Sequence, residues 1–247
     1  MPDRADAAIV KYLAANQYHP RSSKHGDALC VFLLIDLLTS CEAFANAARR
    51  DAIVYRANYT IDPNSSDRWN ADLVVGPPTQ PPEPTAHRIG AIAEGDPDEI
   101  WMAIDAKTIM TEHGKARRNR QRDLNSFQDI LHRKNPRTIV GGLLLVNLSE
   151  RFQTPLARQA AGITTHRNIV RLVTEIVTLM GALARSTPDG ARPGLEALGV
   201  IVLSHSNVIG EATRLIEDPP APASTDPLSY ASFLTDLCGA FATRFSR

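Results

Sequence analysis

"IWMAIDAKTIM" (residues 100–110) sets an aspartate and a lysine two positions apart inside an otherwise apolar run. Side chains alternate across a β-strand, so Asp105 and Lys107 fall on one face. Ile100, Met102 and Ile104 fall on the other and read as core. Trp101 and Ala103 share the charged face, which therefore turns polar only toward the strand's C-terminal end. Taken alone, the pair reads most simply as an ion pair at a fraying strand end, an arrangement worth little in water.

A second stretch changes that reading. "WNADLVVG" (69–76) also carries one isolated carboxylate, Asp72, in a β-run. If the two strands are near one another, Asp72 and Asp105 converge. Together with the backbone carbonyl of Ala106 they form an all-oxygen set suited to Mg²⁺ or Mn²⁺. Lys107 then stands where it orients or helps deprotonate an attacking water. Without a cation the two carboxylates repel, and one takes up a proton.

Flanking patterns supply the rest of the fold. Residues 27–50 read as one long, largely buried helix with Asp27 as N-cap. "AIVYRANYTI" (52–61) is β-branched and aromatic, and reads as a strand. Proline keeps 77–87 out of any sheet interior. "RIGAIAE" and "EIWMAIDAK", either side of "GDPD", predict a hairpin. A helix follows over 111–134 with Thr111 as its cap. The continuous apolar run 138–148 predicts a central strand covered on both faces. Beyond it come an amphipathic helix (165–186), a buried strand (198–206), a proline-rich stretch (217–227) and a last helix (228–245). This order predicts an α/β fold, a central mixed sheet flanked by helices, in one domain spanning 1–247.

At this point the residues resemble a family. An acidic residue on one strand, then Asp/Glu-x-Lys at the end of the next, is similar to the PD-(D/E)xK nuclease superfamily. The pattern falls on Asp72, Asp105 and Lys107. The resemblance covers a core of about 27–148, with a C-terminal helix-strand-helix extension over 149–247. Ala71 stands where the motif's proline is usual, and the proline-rich insertion lengthens the gap to Asp105. The resemblance implies a restriction-endonuclease-like fold and Mg²⁺-dependent (or Mn²⁺-dependent) hydrolysis of DNA phosphodiester bonds, with RNA not excluded. Asp72, Asp105 and the carbonyl of Ala106 would hold the metal. It also implies a role in bacterial restriction or anti-phage defence, as a homodimer or as the nuclease subunit of a defence complex. The alternative is a nuclease-fold protein that no longer cuts and binds nucleic acid or a protein partner. Some members add an acid from the first helix, and Glu42 is the candidate here; its other reading is an exposed residue beside Asn46 and Arg49.

The helix after the Asp–Lys strand carries Lys115, Arg117, Arg118, Arg120 and Arg122 in its first half. Five cations next to a metal site suit a surface that tracks phosphates. Helical spacing from Phe127 turns Asn119, Arg120 and Asp123 toward the interior as site-shaping groups. Gln121 and Gln128 are both candidates to approach the phosphate. His113 and His132 stay outside the mechanism, and "SHSN" (204–207) is a weaker candidate with no partner.

Bulk properties set limits. Twenty-seven basic and 27 acidic side chains cancel, which argues against a protein that coats nucleic acid but not against a local basic face. No apolar run is long enough to span a bilayer, and the N-terminus lacks a signal-peptide pattern, so a cytoplasmic protein is expected. Cys30 and Cys41, eleven residues apart on one helix, would lie about 16 Å apart. With Cys238 they read as buried free thiols.

Overall fold

Eight strands pair into one mixed sheet in the computed structural model, which describes residues 3–62, 68–155 and 162–245. The chain begins with helices α1 (Ala5–Ala15), α2 (Lys24–Ser40) and α3 (Glu42–Arg49). Strands β1 (Val54–Ile61), β2 (Trp69–Gly76), β3 (Arg88–Ile89), β4 (Ile92–Glu94) and β5 (Met102–Ile109) follow, then helix α4 (His113–Lys134). The remainder is β6 (Ile139–Asn147), β7 (Arg151–Gln153), β8 (Ile163–Thr165), α5 (Ile169–Gly181), β9 (Ala197–Ser204), β10 (Arg214–Leu215) and α6 (Tyr230–Phe245). The sheet order is β10-β9-β6-β5-β2-β1-β4-β3, with β7 and β8 forming a separate ribbon.

β6 is the middle of the fold. It runs parallel to both β5 and β9, and all nine of its residues are buried, which is why it reads as an unbroken apolar run. One face of the sheet carries α1, α2, α3 and α6, packed through residues such as Leu33, Leu37, Met102, Ile104, Phe233 and Leu237. The other carries α4 and α5, packed through Leu124, Phe127, Leu144, Val173 and Ile176. Two adjacent glycines let these layers close on β6. A Cβ at Gly142 would stand 2.8 Å from Leu124 Cδ2, and one at Gly141 would stand 2.6 Å from Ile104 Cδ1. The fold class expected from the sequence is the one found: α/β, with a large mixed sheet flanked by helices.

Several local expectations are corrected. The helix over 27–50 is two helices, bent by 100° at Cys41, whose extended φ and ψ end the first. "RIGAIAE" and the Asp–Lys strand do not form a hairpin. β4 instead pairs with β1, two strands away from β5, and turns back on β3 through Gly90 at φ +56°. α4 starts two residues after Thr111, behind Glu112 in the left-handed region, and takes no side-chain cap. Ile100 precedes β5 and packs with the α4 layer, whereas Met102 and Ile104 pack with the opposite one. Cys41 and Cys238 form a disulfide that ties the α2–α3 bend to α6, leaving Cys30 as the free, buried thiol. α6 buries its apolar side chains against β6, β9 and α3 within the chain. Among the described residues no single helix is long and apolar enough to cross a membrane.

Candidate active site

β2 and β5 pair antiparallel from Val75↔Met102 to Leu73↔Ile104. One further step along that register sets Asp72 opposite Asp105, and there the ladder stops. Asp72 Oδ2 instead accepts the backbone N–H of Ala106 at 2.6 Å, so a side-chain oxygen replaces a strand carbonyl. On its other side β5 stays paired with β6 throughout, with Asp105 beside Gly142 and Lys107 beside Leu144. The carboxylates therefore sit where β5 loses one neighbour and keeps the other. That gap admits polar side chains without breaking the sheet.

Asp105 is 0% exposed, and neither of its carboxylate oxygens has a hydrogen-bond partner. Lys107 Nζ touches Oδ1 as an ion pair. Burial pushes the Asp105 carboxyl up to about 7, the Asp72 charge adds to this, and Lys107 opposes it. Burial also raises Asp72, against the pull of Lys107 and the Ala106 amide. Buried carboxylate oxygens in folded proteins are almost always bonded, because an unmet one costs about 1–3 kcal/mol. Two on one side chain, beside a second carboxylate and a single ammonium, make this a candidate site.

The donor set fits a hard cation. Among the described residues no three His, Cys, Asp or Glu side chains cluster as a ready-made cage. Mg²⁺ asks for less, since it commonly binds one or two carboxylates and keeps several waters. Asp72, Asp105 and the Ala106 carbonyl would be the residues to hold it.

Of the two readings of Glu42, the exposed one is found. Glu42 is exposed at the start of α3, whose buried face packs on α6 through Phe44 and Phe241, so it does not join the carboxylates. Asp27, in the first turn of α2, lies closer. Its Oδ1 accepts from Asn58 Nδ2 at 2.8 Å, and Asn58 stands opposite Asp72 in the β1–β2 register. The Asp27 charge contributes to raising Asp72. Cys30, three positions on, is buried close enough for Asp72, Asp27 and Asp105 to add to the burial that pushes its thiol up. Asp27 reads from sequence as a helix cap, and only Asn58, at φ 51°, reveals its direction.

α4 returns from the end of β5 along the same face of the sheet, with Leu124 over Gly142. Gln121 is half-buried one turn before Leu124, the residue that packs over Gly142 beside Asp105. Gln128, a turn beyond, is buried and bonded to Asp129, so Gln121 is the better placed of the two. Lys115, Arg118 and Arg122 are exposed. Arg117 is paired with Glu175 of α5, and Arg120 Nη1 binds Asp123 at 3.0 Å. Asn119 does not turn inward: it is exposed and accepts from Arg122 at 2.8 Å. His132 binds the Thr138 carbonyl and neighbours Glu196, a structural role. In "SHSN", His205 and Asn207 bond to Thr213, to Tyr18 and Gln153 backbone atoms and to each other, joining the β9 end to the α1–α2 turn. A cavity of about 340 Å³ lies elsewhere, along β9, β10 and the start of α6. Comparison with protein-family models, curated proteins and solved structures finds no match to this chain.

Proposed function

We propose that the chain is a metal-dependent nuclease of the PD-(D/E)xK kind that hydrolyses DNA phosphodiester bonds. One observation carries this reading: the fully buried, unbonded carboxylate of Asp105, facing Asp72 and two residues before Lys107. Asp72, Asp105 and the Ala106 carbonyl would hold Mg²⁺, or Mn²⁺ in its place. Bound there, the cation lowers the pKa of a water and offsets charge growing on the scissile phosphate. The order α2, β1, β2, β5, α4, β6, with α3, β3 and β4 inserted, supports the reading, since a helix, three strands, a helix and a further strand form the common core of that family.

The chain's own groups do the rest. Asp72 and Asp105 would hold the cation as ionised carboxylates. Lys107, with a fifth of its side chain exposed, holds its ammonium at the mouth of the gap, beside the attacking water and the phosphate. Gln121 is placed to approach the phosphate from α4. Lys115, Arg118 and Arg122 meet the nucleic-acid backbone as it crosses α4. A bacterial restriction or anti-phage role, a cytoplasmic setting, and pairing with a second copy or a complex follow from the resemblance alone. The Cys41–Cys238 bridge runs against a reducing compartment.

The test is incubation of supercoiled plasmid, linear DNA and RNA with Mg²⁺, for wild type, Asp105→Asn and Lys107→Ala. Wild type is expected to cut DNA, and each variant to lose roughly 10³-fold in rate. Cleavage surviving both substitutions sinks the proposed site. Tight binding without cleavage under any divalent metal supports the non-cutting alternative instead.

A further inference from the structure

A second constellation lies outside the carboxylate gap, at the start of α4. His113 is 2% exposed, and its Nε2 bonds the Asn147 carbonyl oxygen at 2.7 Å. A carbonyl only accepts, so that nitrogen carries the proton and Nδ1 is left with a free lone pair. His113 Nδ1 is buried and has no partner. His166 lies between β8 and α5, with its backbone N–H on the Glu150 carbonyl at 2.7 Å, and its Nε2 is likewise buried and unpartnered. The two rings meet edge to face with centroids 5.1 Å apart.

A simple aromatic contact would explain the packing but not the two orphaned nitrogens, each of which gives up its bonds to water on burial without a replacement. One tetrahedral cation held by two imidazoles places their ring centres about 5 Å apart, given metal–nitrogen distances of about 2.0–2.1 Å. The Asn147 bond to the far nitrogen of His113 is also the usual outer partner of a metal-ligating histidine, since it fixes the tautomer and aims the lone pair. We infer that His113 Nδ1 and His166 Nε2 form a site for a borderline divalent cation of the Zn²⁺ class. Among the described residues no third His, Cys, Asp or Glu completes the set, so water or a carbonyl fills the remaining positions. Mg²⁺ is excluded by chemistry, because it demands oxygen ligands.

The two sites then select different metals. The carboxylate gap takes a hard cation, and the imidazole pair takes a softer one. The second cation staples the β8–α5 turn to the beginning of α4, the helix that carries the exposed cations. It acts as a brace and takes no part in hydrolysis.

Tag-free full-length protein is titrated with Co²⁺ in excess Mg²⁺ and followed by visible absorption, then displaced with Zn²⁺. Wild type is expected to bind one Co²⁺ and to gain roughly 5 °C in Tm at a hundredfold excess of Zn²⁺ over its Kd. His166→Ala, whose metal-free Tm should match wild type, loses both signals, and His113→Gln repeats the loss from the other ligand. Asp105→Asn keeps both signals, which separates this site from the carboxylates. Absence of any Co²⁺ signal, a signal that survives His166→Ala, or one lost in Asp105→Asn overturns the assignment.

Discussion

Two buried acids flank the same strand, β6, and their surroundings differ in almost every respect. Glu196, just before β9, has both oxygens engaged. Oε1 meets Arg244 Nη2 at 2.7 Å, and Oε2 accepts the Val140 N–H at 2.8 Å with His132 Nε2 at 3.3 Å. Arg244 in turn donates to the carbonyls of Pro188, Arg137, Thr138 and Thr187. Asp105, beside Gly142 only two residues along, has Lys107 as its one ion-pair partner and no backbone or neutral side-chain donor on either oxygen. The hydrogen bonds hold Glu196 below its ordinary range although burial alone would raise it, whereas Asp105 is pushed up to about 7. A buried charge with every bond met braces a fold. One with its bonds withheld is a candidate functional group.

The contrast is broken most sharply by removing each acid. Glu196→Ala is expected to lower unfolding free energy by about 3–5 kcal/mol, since it leaves the Arg244 guanidinium and the Val140 amide short of their buried partner. Urea unfolding measures it. A loss below about 1 kcal/mol would mean that Glu196 is no brace. Asp105→Asn has the opposite sign. The folded pKa of about 7 lies above the unfolded value of about 3.9, so the native state binds more protons between them. Stability of the metal-free wild type therefore falls as pH rises from about 4 to 7. Asparagine removes that loss, so at pH 8 the variant should be more stable by on the order of 1–4 kcal/mol, converging with wild type near pH 4. Glu196 acts in the other window: its lowered pKa gives stability above the unfolded value that is lost in more acid solution. An Asp105→Asn protein less stable than wild type at pH 8, without metal, would contradict the orphaned carboxylate.

The same contrast shows what the sequence made legible. Asp72, Asp105 and Lys107 stood out because each interrupts an apolar β-run, and alternation assigns a face without knowledge of partners. The central strand was legible for a related reason, as burial on both faces leaves no polar position in β6 before its last residue, Asn147. Pairing was not. β4 and β5 are close in sequence, yet β4 binds β1, because the proline-rich loop and "GDPD" carry the chain across the sheet. The α2–α3 bend was hidden too, since Cys41 and its neighbours suit a helix by composition. Past that bend Glu42 is exposed on α3, while Asp27 of α2 lies near enough for its charge to raise Asp72. α1 and the short strands β7, β8 and β10 left no pattern long enough to read.

The cations of α4 separate in a comparable way into paired and exposed groups. Arg117 and Arg120 have carboxylate partners, while Lys115, Arg118 and Arg122 are exposed. If the exposed set meets phosphates, each of Lys115→Ala, Arg118→Ala and Arg122→Ala should reduce the slope of log affinity against log salt by about 1. The triple variant should weaken DNA binding by an order of magnitude or more at moderate salt, with little change in Tm. An unchanged salt slope in the triple variant would remove α4 from the nucleic-acid surface.

The smallest expected effect sets Asp27 against Glu42. Asp27→Asn keeps an acceptor for Asn58 but deletes the charge that helps raise Asp72. Two carboxylates remain to hold the cation, so the change in cleavage rate should stay within about tenfold, and the Mg²⁺ concentration for half-maximal rate should shift with it. Glu42→Gln changes an exposed side chain on the α3 turn, away from the carboxylates, and should alter neither rate nor stability beyond about 0.5 kcal/mol. A Mg²⁺ titration of the two variants side by side separates the possibilities. If Glu42→Gln shifts the curve and Asp27→Asn does not, the helical acid read from the sequence was correct, and the α2–α3 bend at Cys41 is misplaced with it.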